Sequence, residues 1–217
     1  MTGGPVPGYR RVTEDLLLAY DHAGAEFRDA VQKEGWKLRE RDRFLRLLLG
    51  EGARTLLEVG AGTGQDALFF QGQGLRVVCT DLSPAMVERC RAKGLDARVA
   101  DFLGLDFPAA SFDAVYAFNC LLHVPSADLG RVLDRLREVL RPGGLLYVGV
   151  YGSDSCEEGL VTDDHHPAPR FFAFRTDAQM RDAIREHFDV VSFDVISHGH
   201  PSGHFQSIVL RRPFPSG

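Results

Sequence analysis

Cysteine is scarce in this chain, and the four present (Cys79, Cys90, Cys120 and Cys156) include no CxxC pair. Such spacing offers neither a thiolate zinc site nor a disulfide framework, and scattered thiols fit a reducing compartment. No apolar run approaches the ~20 residues needed to cross a bilayer. The opening MTGGPVPGYRR lacks the apolar core of an export signal, so a cytoplasmic protein without a membrane partner is expected. Positive charge is in deficit: 25 Lys and Arg stand against 30 Asp and Glu, a net charge of −5. Arginines do gather at 37–46 and 131–141, but acids interleave with them, as on solvated helix faces with i,i+4 pairs. A nucleic-acid partner, which needs a basic face to meet phosphates, is not expected. Internal repeats and low-complexity tracts are absent as well.

What remains is an ordinary globular composition, 44% hydrophobic and 25% charged. At this length folding buries roughly 70% of the unfolded chain's surface, enough for a core without a metal or disulfide staple. Residues 12–33 and 36–49 read as helices, with glycines at 50 and 52 stopping the second. Strands and helices then alternate. Strands are expected at 54–59, 75–80, 96–100, 111–119 and 145–151. Helices are expected at 64–73, 84–93 and 127–140, the second capped by Ser83 with Pro84 in its first turn. Most of these strands are continuously apolar, as in a parallel sheet covered by helices on both faces. From 152 to 176 the sequence turns polar and irregular. A helix follows at 177–186, then an antiparallel strand pair at 188–197 and 205–212.

The stretch LLEVGAGTGQD, Leu56 to Asp66, is a glycine-rich strand-to-helix turn. A Walker loop is excluded, because no lysine follows the glycines. A dinucleotide loop requires GxGxxG, whereas Gly60, Gly62 and Gly64 form GxGxG with Gln65 in the sixth place. Three acids follow strand ends: Glu58, Asp81 and Asp101. Asp81 suits a ribose, since a carboxylate accepts hydrogen bonds from vicinal hydroxyls. Glu58 is poorly suited to a pyrophosphate, whose anionic oxygens it would repel at short range. Three carboxylates on one carboxyl edge favour a cationic nucleoside, and S-adenosylmethionine is the expected ligand.

With VVCTDLSPAMVERC, VADFLGLDFPAASFDAVYAFNCLLHVP and LREVLRPGGLLYVGVYG following in order, residues 54–151 resemble the class I S-adenosylmethionine-dependent methyltransferases. Upstream, YDHAGAEF (Tyr20 to Phe27) resembles that family's YDxxAxxY helix, departing at Gly24 and Phe27. The resemblance implies an α/β fold: a Rossmann-like, doubly wound sheet of seven strands, the last antiparallel, with an N-terminal helical cap. One domain over 1–217 is implied, with the cap at 1–50, the donor-binding core at 51–151, a lid insert at 152–176, and a helix and terminal hairpin at 177–217. It also implies roles. Gly60, Ala61, Gly62 and Gly64 let the backbone approach the methionine part, with Glu58 near its ammonium. Asp81 holds the ribose and Leu82 packs on adenine. Asp101 accepts from the adenine amine and Phe102 contacts the ring. Asn119 offers its carbonyl near the amino group or methyl, and Tyr20 closes over the donor. S-adenosylhomocysteine is the product.

The acceptor is expected to be a small molecule, methylated on oxygen or nitrogen in an in-line displacement. His123, just beyond the fourth strand, is the candidate general base, because an imidazole titrates near neutrality. In the lid, His165, His166, Arg170 and Arg175 are candidates for holding an anionic acceptor. The HGHPSGH stretch brings His198, His200 and His204 together, but its Gly and Pro mark a hairpin turn and no metal is expected. Two other readings stay open at this point: an NAD-dependent oxidoreductase, and a nucleoside-binding module without catalysis.

Overall fold

In the computed structural model, residues 6–20, 33–162, 166, 168–197 and 203–215 are described. The chain begins with α1 (Tyr9–Tyr20), which buries Val12, Leu16 and Ala19 along one stripe. The remainder of the helix expected to reach residue 33 lies outside the described residues. Next, α2 (Gly35–Gly50) buries Phe44, Leu45 and Leu48. Then come β1 (Thr55–Val59), α3 (Gln65–Gly72), β2 (Arg76–Asp81), α4 (Pro84–Ala92), β3 (Asp96–Val99) and β4 (Phe112–Phe118). A 3₁₀ turn (Leu121–His123) leads to α5 (Ser126–Val139) and β5 (Leu140–Gly152). Two short strands, β6 (Glu157–Val161) and β7 (Arg170–Phe174), precede α6 (Asp177–Arg185), β8 (Asp189–Ile196) and β9 (His204–Arg211).

The main sheet has seven strands in the order β3-β2-β1-β4-β5-β9-β8. Neighbours from β3 to β5 run parallel, while β9 is antiparallel to both β5 and β8. This is the α/β architecture implied by the sequence, with only the last strand reversed. Because successive side chains leave a strand on opposite faces, the strands feed two separate cores. Leu57, Val59, Val115, Ala117 and Val148 pack with α5 and α6 on one face. Leu56, Val77, Ala114, Tyr116 and Tyr147 pack with α2, α3 and α4 on the other. No helix among the described residues is long and apolar enough to cross a membrane.

The segment after β5 departs from the irregular lid expected there. β6 and β7 pair antiparallel as a separate small sheet. Phe171 and Ala173 of β7 bury against Val12 and Leu16 of α1. That packing places the N-terminal helix over the carboxyl ends of the parallel strands.

Candidate active site

The glycine loop between β1 and α3 owes its path to backbone geometry. Gly60, Gly62 and Gly64 all have positive φ, at 62°, 56° and 77°, a region that costs other residues strain. Space constrains two of them. A Cβ on Gly60 would lie 2.5 Å from the Cβ of Cys120, and one on Gly64 would lie 2.6 Å from Leu95. Nothing stands within 4 Å of a Cβ on Gly62, so a ligand can approach the chain there.

Asp81, at the end of β2, ties the loop down. Its Oδ2 accepts from the Gly62 N–H at 2.8 Å and its Oδ1 from the Ser83 N–H at 2.9 Å. A carboxylate oxygen has two lone pairs and can accept more than one hydrogen bond. Ser83 caps α4 as expected, accepting from the Met86 N–H at 3.3 Å. The adjacent cleft, together with the solvent at its mouth, spans about 700 Å³. Asp81, Leu82, Asp101, Phe102, Gly60, Gly62, Asn119, Tyr20 and His123 all line it, joined by Tyr9, Thr13, Leu16, Met86 and Cys120. Asp101 accepts from the Leu103 and Gly104 N–H groups at 2.9 and 2.6 Å, which fixes the turn after β3.

A second cleft, of about 750 Å³, shares Gly60, Gly62 and Asn119 with the first. Ala61, Gln65, Lys33, Lys37, Asp66 and Phe118 form its walls. Asn119 stands where the clefts meet and has φ 53°, a left-handed conformation. Its Oδ1 is buried and has no hydrogen-bond partner among the described residues. A buried acceptor left open in this way fits an incoming ammonium donor. With the open approach at Gly62 and the Asp81 carboxylate, the residues present fit a nucleoside bearing an amino-acid tail.

Glu58 does not join Asp81 and Asp101 as a third carboxylate of one rim. It is 4% exposed and lines neither cleft. Burial, reinforced by Asp66, holds its carboxyl well above the ordinary range, against an opposing pull from Lys33. The strand's alternation turns Glu58 under the loop. Lys33, partly exposed, donates to the buried Asp66 on the wall of the second cleft.

Also on the wall of the first cleft, side chains form a chain of hydrogen bonds. His123 Nδ1 lies 2.6 Å from the Phe171 carbonyl oxygen, which can only accept, so this nitrogen carries the proton. In the neutral ring Nε2 then accepts, and Tyr20 donates its hydroxyl to it at 3.0 Å. Arg170 Nη1 in turn donates to the Tyr20 oxygen at 2.9 Å. His166 meets Tyr20 edge-on, with ring centroids 5.3 Å apart.

Other candidates are placed elsewhere. Arg175 is buried and lines neither cleft. Its Nε donates to Ser126 Oγ at 2.9 Å and its Nη2 to the Val124 carbonyl, so it braces the start of α5. Burial lowers its pKa, which Glu158 partly restores. His165, His198 and His200 lie outside the described residues. His204 bonds Asp177 at 2.8 Å, and no group of three metal-ligating side chains occurs among the described residues.

Tyr9 is a cleft residue that sequence reading did not single out. Its hydroxyl accepts from the Phe102 N–H at 3.1 Å, and burial, then Asp101, pushes its pKa up, keeping the phenol neutral. The signal was present: residues 9, 13, 16 and 20 fall on one helical face.

Residues 56–144 match a family model described as a methyltransferase domain. The 27-O-demethylrifamycin SV methyltransferase of Amycolatopsis mediterranei is 32% identical over 131 residues, covering 56% of this chain and 47% of that protein. The demethylmenaquinone methyltransferase of Thermus thermophilus is 36% identical over 125 residues, covering 52% and 54%. This chain thus spans about half the length of these curated relatives. Among solved structures, the Burkholderia thailandensis 1,6-didemethyltoxoflavin-N1-methyltransferase, with bound 1,6-didemethyltoxoflavin and S-adenosylhomocysteine, superposes with a TM-score of 0.74. It covers 98% of this chain and 94% of its own at 24% identity, a likeness of fold.

Proposed function

We propose that this chain, whose residues 56–144 match a methyltransferase family model, is a class I S-adenosylmethionine-dependent methyltransferase that methylates a small-molecule acceptor on oxygen or nitrogen. The observation that carries this reading is the meeting of the two clefts at Gly60, Gly62 and Asn119. One side is walled for a nucleoside, and the junction carries a buried, open acceptor.

S-adenosylmethionine, when bound, supplies a methyl carbon already made electrophilic by its sulfonium. The chain's work is then to bind, orient and exclude water. Asp81 accepts from the ribose hydroxyls while its bonds to Gly62 and Ser83 keep it in place. Leu82, Met86 and Phe102 present apolar surface to adenine, and Asp101 accepts from the exocyclic amine. Gly60, Ala61 and Gly62 let the backbone lie close to the amino-acid tail, and Gly64 keeps the turn into α3 closed. Asn119 Oδ1 accepts from the ammonium. His123 and Tyr20 line the same cleft and are the groups proposed to meet the acceptor. Small acceptors are supported by the relatives' own names and by the deficit of positive charge.

The dinucleotide alternative is disfavoured by Gln65, which replaces the third loop glycine and opens α3. Titration calorimetry with S-adenosylhomocysteine, S-adenosylmethionine and NAD tests the reading. The first two are expected to bind and NAD not to. Tight uptake of NAD with none of the adenosyl compounds overturns it.

A further inference from the structure

We propose that Tyr9 reads the base of the methyl donor, its phenol donating to a ring nitrogen beside the exocyclic amine while Asp101 accepts from that amine. The two side chains together select a 6-aminopurine over a base that lacks an acceptor nitrogen at this point. This rests on the methyl-transfer reading above and assigns a specificity-determining residue to the same cleft.

Helix α1 brings Tyr9, Thr13, Leu16 and Tyr20 to the cleft wall along one face. Tyr9 lines the cleft together with Asp101 and Phe102, which sit in the turn after β3. The Phe102 N–H is the backbone donor next to Asp101, and it is already engaged: it donates to the Tyr9 hydroxyl oxygen at 3.1 Å. With the amide hydrogen taken, the donor that remains at this point of the wall is the phenol's own.

The direction of that bond decides what the hydroxyl can do. Its oxygen accepts from Phe102, so its hydrogen points away from the amide. The Phe102 N–H is the one hydrogen-bond partner of this hydroxyl among the described residues. Burial, then the Asp101 carboxylate, pushes the Tyr9 pKa up, so the phenol keeps its hydrogen at ordinary pH and stays a donor.

Asp101 supplies the complementary half. Its Oδ1 takes both bonds of the turn, from the Leu103 and Gly104 N–H groups, and its Oδ2 has no partner among the described residues. A carboxylate oxygen that accepts and a hydroxyl that donates, linked through Phe102, match the amine and the neighbouring ring nitrogen of a 6-aminopurine. A 6-oxopurine sets a carbonyl against the carboxylate instead, acceptor facing acceptor. Leu82 and Met86 add apolar surface for the faces of the ring.

Titration calorimetry of the full chain tests the pair with S-adenosylhomocysteine and its 1-deaza and 7-deaza analogues, each lacking one of the two ring nitrogens that flank the amine. The wild-type chain is expected to bind one analogue about tenfold more weakly than S-adenosylhomocysteine. Tyr9→Phe is expected to bind that analogue and S-adenosylhomocysteine alike, because the phenol that told them apart is gone. A merely structural role for Tyr9 would weaken every ligand equally and leave the ratio untouched. Proton NMR of the wild-type complex keeps the test valid should Tyr9→Phe fold poorly. The Tyr9 hydroxyl proton is expected to resonate downfield with S-adenosylhomocysteine and to lose that shift with the weaker analogue. Two analogues that bind the wild-type chain as tightly as S-adenosylhomocysteine, a penalty undiminished in Tyr9→Phe, or a hydroxyl shift indifferent to the analogue overturns the inference. A wild-type chain that takes up no S-adenosylhomocysteine overturns the donor assignment, and this inference with it.

Discussion

The carboxylate of Asp81 holds the backbone N–H of Gly62 at 2.8 Å, fastening the tip of β2 to the glycine loop that follows β1. One side chain therefore shapes the loop and presents oxygens to the ligand. Asp81→Asn keeps one acceptor oxygen and loses the charge. Calorimetry is expected to show affinity for S-adenosylhomocysteine falling at least tenfold, about 1.4 kcal/mol, with a melting temperature within a few degrees of wild type.

Gly60 and Gly62 share a positive φ but differ in surroundings. Gly60→Ala drives a methyl group into Cys120, 2.5 Å away, in addition to the backbone strain. A loss of more than about 2 kcal/mol in urea unfolding is expected. Gly62→Ala meets open space, so only the strain of about 1 kcal/mol remains. Its larger effect is expected on ligand affinity, because the methyl group occupies the approach to the backbone.

Burial raises the Glu58 carboxyl above the value it has in the unfolded chain. The folded state therefore binds that proton more tightly. The contribution is complete below the unfolded carboxyl value of about 4.3 and is lost as pH rises through the raised one. Glu58→Gln removes this dependence. Melting curves are expected to show the variant gaining on wild type as pH rises from 4 toward 8, and no gain at the acidic end.

Arg175 leaves the Val124 carbonyl and Ser126 hydroxyl without their donors when replaced by alanine. A destabilisation of roughly 2–4 kcal/mol is expected from unfolding in urea. Arg175→Lys recovers little of it, since a single ammonium cannot reach both partners as the guanidinium fork does. Affinity of the folded fraction for S-adenosylhomocysteine should be unchanged, as Arg175 lines neither cleft.

The parallel core was legible because its signals are local. Continuous apolar strands, glycines at the loop and Ser83 before Pro84 each follow from a few neighbouring residues. β6 and β7 were not legible. Phe171 and Ala173 find their apolar partners in Val12 and Leu16, some 160 residues earlier, beyond any local window. Asp81, Asp101 and Asn119 were readable as cleft residues because strand ends in a parallel sheet share one edge. Glu58 and Arg175 were placed in the wrong surroundings for one reason: a charged residue in a sequence does not announce that it is buried. Tyr9 escaped because α1 starts three residues before the expected helix.

The position of β9 has a consequence for how the chain is made. Its strand, His204–Arg211, fills the gap between β5 and β8, yet it is the last of the seven to leave the ribosome. Until it emerges, β5 lacks an outer neighbour and β8 has no place in the sheet, so both offer open edges to other chains. Sheet closure thus waits on the emergence of β9, and a nascent chain stalled before residue 204 is a natural client for a holdase.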